Sequence, residues 1–130
     1  MSHFSTVKTQ LRKRDSLVKA LTDLGYKPQE GKQLVQGYKG QTVTADMSVK
    51  MPEGTDLGFS WNAGSNSYEL VTDLDLWKHR IPVDRFLAKL TQQYALTTVL
   101  AATAEEGFEV SEQKNNIDGS IELVVTRWDA

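Results

Sequence analysis

A group of short alternating segments lies in the middle of the chain, between two segments with helical periodicity. From Gln41 to Met51 every second residue is apolar, which predicts an antiparallel strand with one buried and one solvated face. Residues 57–62 and 68–74 alternate in the same way around the loop Ala63-Gly64-Ser65-Asn66, and this arrangement predicts a hairpin. Because hairpins grouped between two helices favour a mostly antiparallel sheet, we predict an α+β fold.

The two helical segments have recognisable ends. Asp15 is the predicted N-cap of the first helix, and Gly25 is its predicted left-handed stop. The second helix is predicted from about Pro82 to Glu106. Its packing stripe on the sheet is predicted to contain Leu87, Leu90, Tyr94 and Ala101, and the small residues Ala101, Ala102 and Ala104 are expected to let it approach the sheet closely.

The remaining segments complete the order β-α-β-β-β-β-α-β-β. A strand is predicted within 3–11, a short one around Leu34-Val35, and two more on either side of a turn at residues 115–119. We predict a sheet of about five to seven strands with both helices packed on one face. No linker or internal repeat is evident, so residues 1–130 are predicted to form a single domain.

The composition excludes several classes of chemistry. With no cysteine, the chain has no disulfide, thiolate nucleophile, iron–sulfur ligation or cysteine-based zinc site. Its only histidines, His3 and His79, are far apart, and Lys78 and Arg80 beside His79 repel a cation. We therefore predict no metal and no cofactor, while a general acid–base role for a histidine stays open. No signal peptide or spanning helix is evident, which predicts a protein that does not insert into membranes.

The charge is unevenly distributed. Residues 1–50 carry nine Lys and Arg against four Asp and Glu, whereas residues 51–130 carry six against thirteen. The densest basic run is Arg12-Lys13-Arg14, which is a candidate anion-binding patch or a solvated approach to the first helix. The acidic balance of the whole chain argues against nucleic-acid binding.

Two short motifs favour structural roles. Asp73 and Asp75 could share a hard cation, but the further ligands and glycine of a calcium loop are absent, so a solvated strand face is favoured. Gly37-Tyr38-Lys39-Gly40 is followed by a strand, whereas a phosphate loop opens a helix; a turn is therefore predicted.

The aromatic residues are the most suggestive feature. The three tryptophans, Trp61, Trp77 and Trp128, each border a predicted strand, and Tyr68 lies opposite Trp61 in the hairpin. Such residues pack in cores, but an exposed one favours a contact with a protein or a planar ligand. Trp61 and Trp77 are expected to border one surface region with loop 63–66. No catalytic residue is assigned; the candidate binding residues are Trp61, Tyr68, Trp77 and His3.

Seven segments in order resemble one family along essentially the whole chain: SHFSTVKTQL, ALTDLGY, GYKGQT, DLGFSWN, YELVTDLDLW, FLAKLTQQYA and DGSIELVVTRW. It is the uncharacterised cyanobacterial and algal-plastid family of hypothetical chloroplast open reading frame thirty-five. The resemblance implies a location in the cyanobacterial cytoplasm or the chloroplast stroma, but no reaction.

The missing catalytic motifs and the aromatic strand ends favour a non-catalytic accessory protein that binds a protein partner. Two alternatives stay open: a pocket protein for a tetrapyrrole or other planar ligand, and an enzyme with an unrecognised site. An exposed patch around Trp61 would favour the protein partner, and a deep apolar cavity there would favour the planar ligand. A concave cluster of side chains around His3 would favour the enzyme.

Overall fold

The predicted order of elements and the α+β class are confirmed. The computed structural model describes residues 4–37, 40–51, 56–74, 77 and 81–127. Its elements are β1 (Ser5–Lys8), α1 (Arg14–Asp23), β2 (Pro28–Gln36), β3 (Thr42–Val49), β4 (Leu57–Asn62), β5 (Ser67–Thr72), α2 (Val83–Glu105), β6 (Phe108–Asn115) and β7 (Ile121–Arg127). The chain divides into two compact units, residues 1–94 and 95–130. The single domain over 1–130 stays a prediction.

The first unit contains a five-stranded antiparallel sheet in the order β1-β5-β4-β3-β2. The register of β1 on β5, from Ser5 opposite Thr72 to Lys8 opposite Glu69, brings the start of the chain beside the central hairpin. Pro28 begins β2 at the sheet edge, a position that proline tolerates because it cannot donate to a sheet ladder.

One face of this sheet holds the main core. Its buried side chains meet apolar residues of α1 and of the first part of α2, and the cluster comprises Leu11, Leu17, Ala20, Leu21, Met47, Val49, Leu57, Phe59, Tyr68, Leu70, Phe86 and Leu90. The α1 members recur at helical spacing, so a single stripe of that helix is buried.

The predicted stop of α1 is confirmed, whereas its predicted N-cap is wrong. Gly25 has φ +94°, and the next N–H, from Tyr26, donates to the Leu21 carbonyl at 2.9 Å, closing a Schellman motif. The N-cap residue is Lys13, which makes no side-chain cap. Asp15 lies instead in the first turn, where its charge favours the helix dipole.

The stripe of α2 is correct only in part. Leu90 is buried and Tyr94 packs against the core, but the buried Phe86 was not predicted. Ala101, Ala102 and Ala104 lie in the second unit and are exposed, and their predicted close approach to the sheet stays a prediction.

The alternation predicted for β3 breaks at Asp46. Phe59 points into the main core, so a Cβ on the preceding Gly58 would point to the opposite face of the sheet. There it would lie 2.8 Å from the Ala45 Cβ and 2.6 Å from the Val35 Cγ2. Ala45 therefore covers the opposite face of the sheet from Met47, and the predicted common face is wrong. Consistent with this break, β3 pairs with β4 only from Met47 to Val49.

The second unit contains the end of α2 and the antiparallel pair β6 and β7. The turn predicted at residues 115–119 is confirmed, with Gly119 at φ +91° and the Asn116 N–H donating to the Ser120 carbonyl at 2.9 Å. The Ser120 hydroxyl donates to the Asp118 carboxylate at 2.7 Å, and the Ser120 N–H donates to it at 2.9 Å. These hydrogen bonds lower the pKa of Asp118 below its ordinary value.

Candidate functional site

The hairpin of β4 and β5 presents an aromatic pair. Trp61 and Tyr68 are direct cross-strand partners, and their rings meet edge to face with centroids 5.2 Å apart. Tyr68 is 7% exposed, whereas Trp61 is 43% exposed. The Asn62 side chain braces the turn by accepting the Gly64 N–H at 2.8 Å. A structured hairpin end therefore displays part of an indole to solvent.

A carboxylate holds the backbone of this tryptophan. The Trp61 N–H donates to Asp46 Oδ2 at 2.7 Å, beyond the point at which β3 stops pairing with β4. The Asp46 carboxylate thus accepts the hydrogen bond that a backbone carbonyl of β3 would accept if the two strands continued to pair. No sequence motif marks this contact.

Two tyrosines form hydrogen bonds with the backbone of residues 11–13, where the basic run begins. The Tyr68 N–H donates to the Leu11 carbonyl at 2.7 Å. The N–H groups of Arg12 and Lys13 both donate to Tyr94 Oη, at 3.1 and 2.8 Å. Tyr68 therefore joins two regions that the sequence suggested separately, the aromatic pair and the run Arg12-Lys13-Arg14.

The three cations of the run differ in their contacts. Arg14 Nη2 forms an exposed ion pair with Glu30 Oε1 at 2.8 Å. Arg12 and Lys13 are exposed and form no ion pair with any residue in the described part of the chain. Two positive charges are therefore available to a partner on this surface.

The Tyr68 hydroxyl remains a proton donor at neutral pH. Burial raises its pKa above the ordinary value of 10.0, the Arg14 guanidinium lowers it, and the carboxylates of Asp46 and Asp15 raise it. The net direction is upward, so the neutral phenol persists at any physiological pH.

Trp77 belongs to a different aromatic cluster. Its indole N–H donates to the Ile81 carbonyl at 2.9 Å, and its ring packs edge to face on Phe86 at 5.9 Å. Tyr26, just after α1, also contacts Phe86, whereas Tyr94 reaches the start of α1. Phe86 and Tyr94 are eight residues apart on α2, or roughly 12 Å. Trp77 thus packs on Phe86 and Trp61 on Tyr68, and the surface region that the two tryptophans were expected to share stays a prediction.

Asp73 is not on a solvated strand face, so that interpretation was wrong. It is 1% exposed. A Cβ on Gly37 would lie 3.3 Å from Asp73 Oδ2 and 2.7 Å from Phe4 Cζ, so the chain before β1 and the end of β2 converge at this carboxylate. Packing of distant segments buries it, which a local pattern cannot reveal.

The other sequence candidates, namely His3, Tyr38, Lys39, Asp75, Lys78, His79, Arg80 and Trp128, lie outside the described residues. Within the described ranges, no three His, Asp or Glu side chains converge as metal ligands, and the absence of a metal stays a prediction. Neither helix, over the residues that the structure describes, is both long and apolar enough to span a membrane.

Comparison with known proteins confirms the resemblance seen in the sequence. Three relatives, each called Uncharacterized protein ycf35, come from Cyanophora paradoxa (39% identical), Pyropia yezoensis (37%) and Guillardia theta (38%). Each alignment spans 128 residues and covers 98% of both chains. Relatives of this protein thus occur in algal plastids. No solved structure matches the chain. The family model described as Protein of unknown function (DUF1257) matches residues 20–124, and the chain belongs to that family.

Proposed function

We propose that this is a non-catalytic accessory protein that binds a protein partner through the Trp61 surface, which we define as Trp61, Arg12 and Lys13 with Tyr68 beneath them. The observation that supports the proposal is the 43% exposed indole, fixed by Asp46 through its backbone and by Tyr68 through its ring. The family lineage supports the cyanobacterial cytoplasm or chloroplast stroma as the place where this binding occurs.

The two contacts that hold Trp61, at its backbone and at its ring, favour a binding role. Binding orders side chains at a cost in conformational entropy, and a side chain already held in place loses less. Tryptophan, tyrosine and arginine are the residues that most often dominate binding energy at protein interfaces. The Trp61 surface combines all three types within one unit.

The exposed charges indicate the chemistry of the partner. Arg12 and Lys13 have no ion pair within the described ranges, so an acidic segment would complement them. The proposed partner segment therefore has an apolar side chain that covers Trp61, with a carboxylate next to it.

A capture experiment with variants tests this role. Wild-type protein, Trp61→Ala and Ile117→Ser are immobilised and exposed to a cyanobacterial or algal extract; Ile117 is a fully exposed apolar residue of the second unit and serves as the control. A captured protein is then purified, and its Kd for each variant is measured. We expect Trp61→Ala to weaken binding by roughly thirtyfold, the effect of a hot-spot residue, while Ile117→Ser retains it. Equal affinities of wild type and Trp61→Ala would overturn the proposal.

A further inference from the structure

A second large apolar side chain is exposed on the face of the sheet that holds the main core. Leu34 of β2 is 64% exposed, more than Trp61. Its neighbour Val35 is buried on the opposite face, where its Cγ2 would lie 2.6 Å from a Cβ on Gly58. Because successive side chains of a strand alternate between the two faces, Leu34 lies on the main-core face.

Trp61 lies on the same face as this leucine. Phe59, two residues before it on β4, is in the main core, and residues two apart on a strand share a face. Leu34 is opposite Thr44 on β3, and Asp46, two residues further along β3, accepts the Trp61 N–H at 2.7 Å. Two strand spacings separate β2 from β4, or roughly 10 Å. The two exposed apolar side chains therefore form a pair on one face, with polar residues of β3 between them.

Helices cover this face elsewhere but leave the apolar pair exposed. Apolar residues of α1 and of the first part of α2 meet the main-core side chains of the sheet. The ion pair between Arg14 and Glu30, at 2.8 Å, sets the start of α1 against β2. Leu34 lies four residues beyond Glu30 on that strand, or roughly 13 Å away. Since sheet faces are usually covered by helices, the exposed pair is a suitable place for a further helix.

The cations around the apolar pair are available to a partner. Lys32, two residues before Leu34 on β2, is exposed and forms no ion pair with any residue that the structure describes. Arg12 and Lys13 of the Trp61 surface are exposed and free of ion pairs in the same sense. Positive charge therefore lies beside both apolar side chains.

The strands β2 and β3 carry one acid each, and both acids are held by internal contacts. Glu30 forms the ion pair with Arg14, which offsets its charge. Asp46 accepts the Trp61 N–H. The exposed cations thus exceed the carboxylates that these strands leave unbound, and charge complementarity favours an acidic occupant.

We propose that Leu34 and Lys32 extend the Trp61 surface into a docking face for an acidic amphipathic helix of the protein partner. Two apolar side chains of this helix, seven residues and about 10.5 Å apart, cover Leu34 and Trp61. Carboxylates next to them meet Lys32 at one end, and Arg12 and Lys13 at the other. The inference rests on the proposed function, because it assigns the partner's conformation and chemistry at the same surface.

The edge of β2 is poorly suited to the addition of a partner strand. Pro28 has no N–H to donate there, and the register of β2 on β3 shifts between Glu30 and Gln33. Prolines and irregularities of this kind protect sheet edges against added strands. A helix across the face is therefore favoured over a strand along the edge.

A peptide titration monitored by NMR tests the docking face. The probe is a capped helical peptide of about 18 residues, built from Ala, Gln and Glu, with two leucines seven positions apart. The control peptide has the same composition with its leucines five positions apart, which places them on different sides of the helix. The signals followed are the Trp61 indole N–H and the Leu34 backbone N–H. We expect the probe to shift both signals and to bind roughly tenfold more tightly than the control peptide, the effect of burying one more leucine.

Two variants with matched chemistry test the second apolar contact. We expect Leu34→Ser to weaken binding of the probe by roughly tenfold and to remove its advantage over the control peptide. The melting temperature of this variant should stay close to that of the wild type, because the side chain is largely exposed. Ile117→Ser changes an exposed apolar residue of the second unit and should alter neither affinity.

The acidic character of the partner is tested by exchanging Glu for Gln in the probe. At low salt we expect the Gln peptide to bind roughly fivefold more weakly. Lys32→Gln should weaken binding of the Glu peptide and leave that of the Gln peptide unchanged, whereas Lys89→Gln, which removes an exposed cation of α2, should change neither. Equal affinities of the Glu and Gln peptides would overturn the acidic assignment.

The outcomes distinguish this inference from the proposed function. Weaker binding of the probe in Trp61→Ala but not in Leu34→Ser would overturn the docking face and leave the Trp61 surface in place, whereas unchanged binding in both would contradict both. Equal affinities of the probe and the control peptide, or no shift at about 1 mM probe, would overturn the helical occupant. A dimer in solution that Leu34→Ser dissociates would also overturn it, because the occupant would then be a second copy of this chain.

Discussion

The carboxylate of Asp46 accepts the N–H of Trp61 at 2.7 Å at the point where β3 stops pairing with β4. The break in β3 has two consequences. It sends Ala45 to the opposite face of the sheet, and it leaves the Trp61 backbone to be bound by a side chain instead of a strand. The exposed tryptophan of the candidate site is thus fixed by the same irregularity that shapes the sheet.

Replacing Asp46 should loosen Trp61 without unfolding the protein. Asp46→Ala removes the acceptor and should cost about 1 kcal/mol of unfolding free energy, the usual net value of one hydrogen bond. Hydrogen exchange of the Trp61 N–H should become faster. Asp46→Asn retains a side-chain oxygen and should restore most of the protection; if it behaves like Asp46→Ala, the hydrogen bond is not what holds Trp61.

A side chain at position 58 should not fit. In Gly58→Ala the new methyl group would lie 2.6 Å from Val35 Cγ2 and 2.8 Å from the Ala45 Cβ, so we expect a loss of about 1–3 kcal/mol from overpacking. Urea denaturation measures it. Val35→Ala shortens the side chain that the new methyl group would meet. We therefore expect the double variant Gly58→Ala/Val35→Ala to lose less unfolding free energy than the two single variants lose together. Simple additivity would mean that these positions do not contact each other.

The first part of α2 should contribute strongly to stability. Leu90 is fully buried in the main core, so Leu90→Ala should cost about 2–5 kcal/mol of the roughly 5–15 kcal/mol that a domain usually has. Its neighbour Lys89 is exposed, and Lys89→Ala should change the melting temperature little. Similar small shifts in both variants would show that this helix is not a main core element.

The hydroxyl of Tyr68 should make stability fall at high pH. Because burial raises its pKa in the folded protein, the unfolded chain loses this proton first, near the ordinary value of 10.0. The stabilisation from this group is fully present below pH 10.0 and is lost as the pH rises through the folded pKa. Unfolding free energies above pH 10.0 should therefore decline more steeply for wild type than for Tyr68→Phe. Parallel curves would show that the folded protein does not shift this pKa.

Much of the fold could be predicted because its signals are local. Alternation marked β3, β4 and β5, and Gly25 marked the end of α1 because a left-handed residue is needed there. The break at Asp46 left no such mark, since the residues on both sides of it alternate regularly in the sequence. Which face a strand buries beyond such a break depends on what packs there, in this case Gly58 and Val35.

The candidate site was predicted in separate pieces. The pairing of Trp61 with Tyr68 follows from the hairpin, and the basic run is visible in the sequence. Their proximity depends on β1 pairing with β5, which sets the Leu11 carbonyl on the Tyr68 N–H. That contact joins residues 57 positions apart (68 − 11), and neither segment encodes it locally.

The most direct measurement of the central claim is the affinity of the captured partner for Trp61→Ala relative to wild type, with Ile117→Ser as the control. If the Trp61 surface binds the partner, Trp61→Ala weakens the complex by roughly thirtyfold and the control leaves the Kd unchanged. A partner that binds wild type and Trp61→Ala equally well would contradict the account and would place the interface elsewhere on the protein.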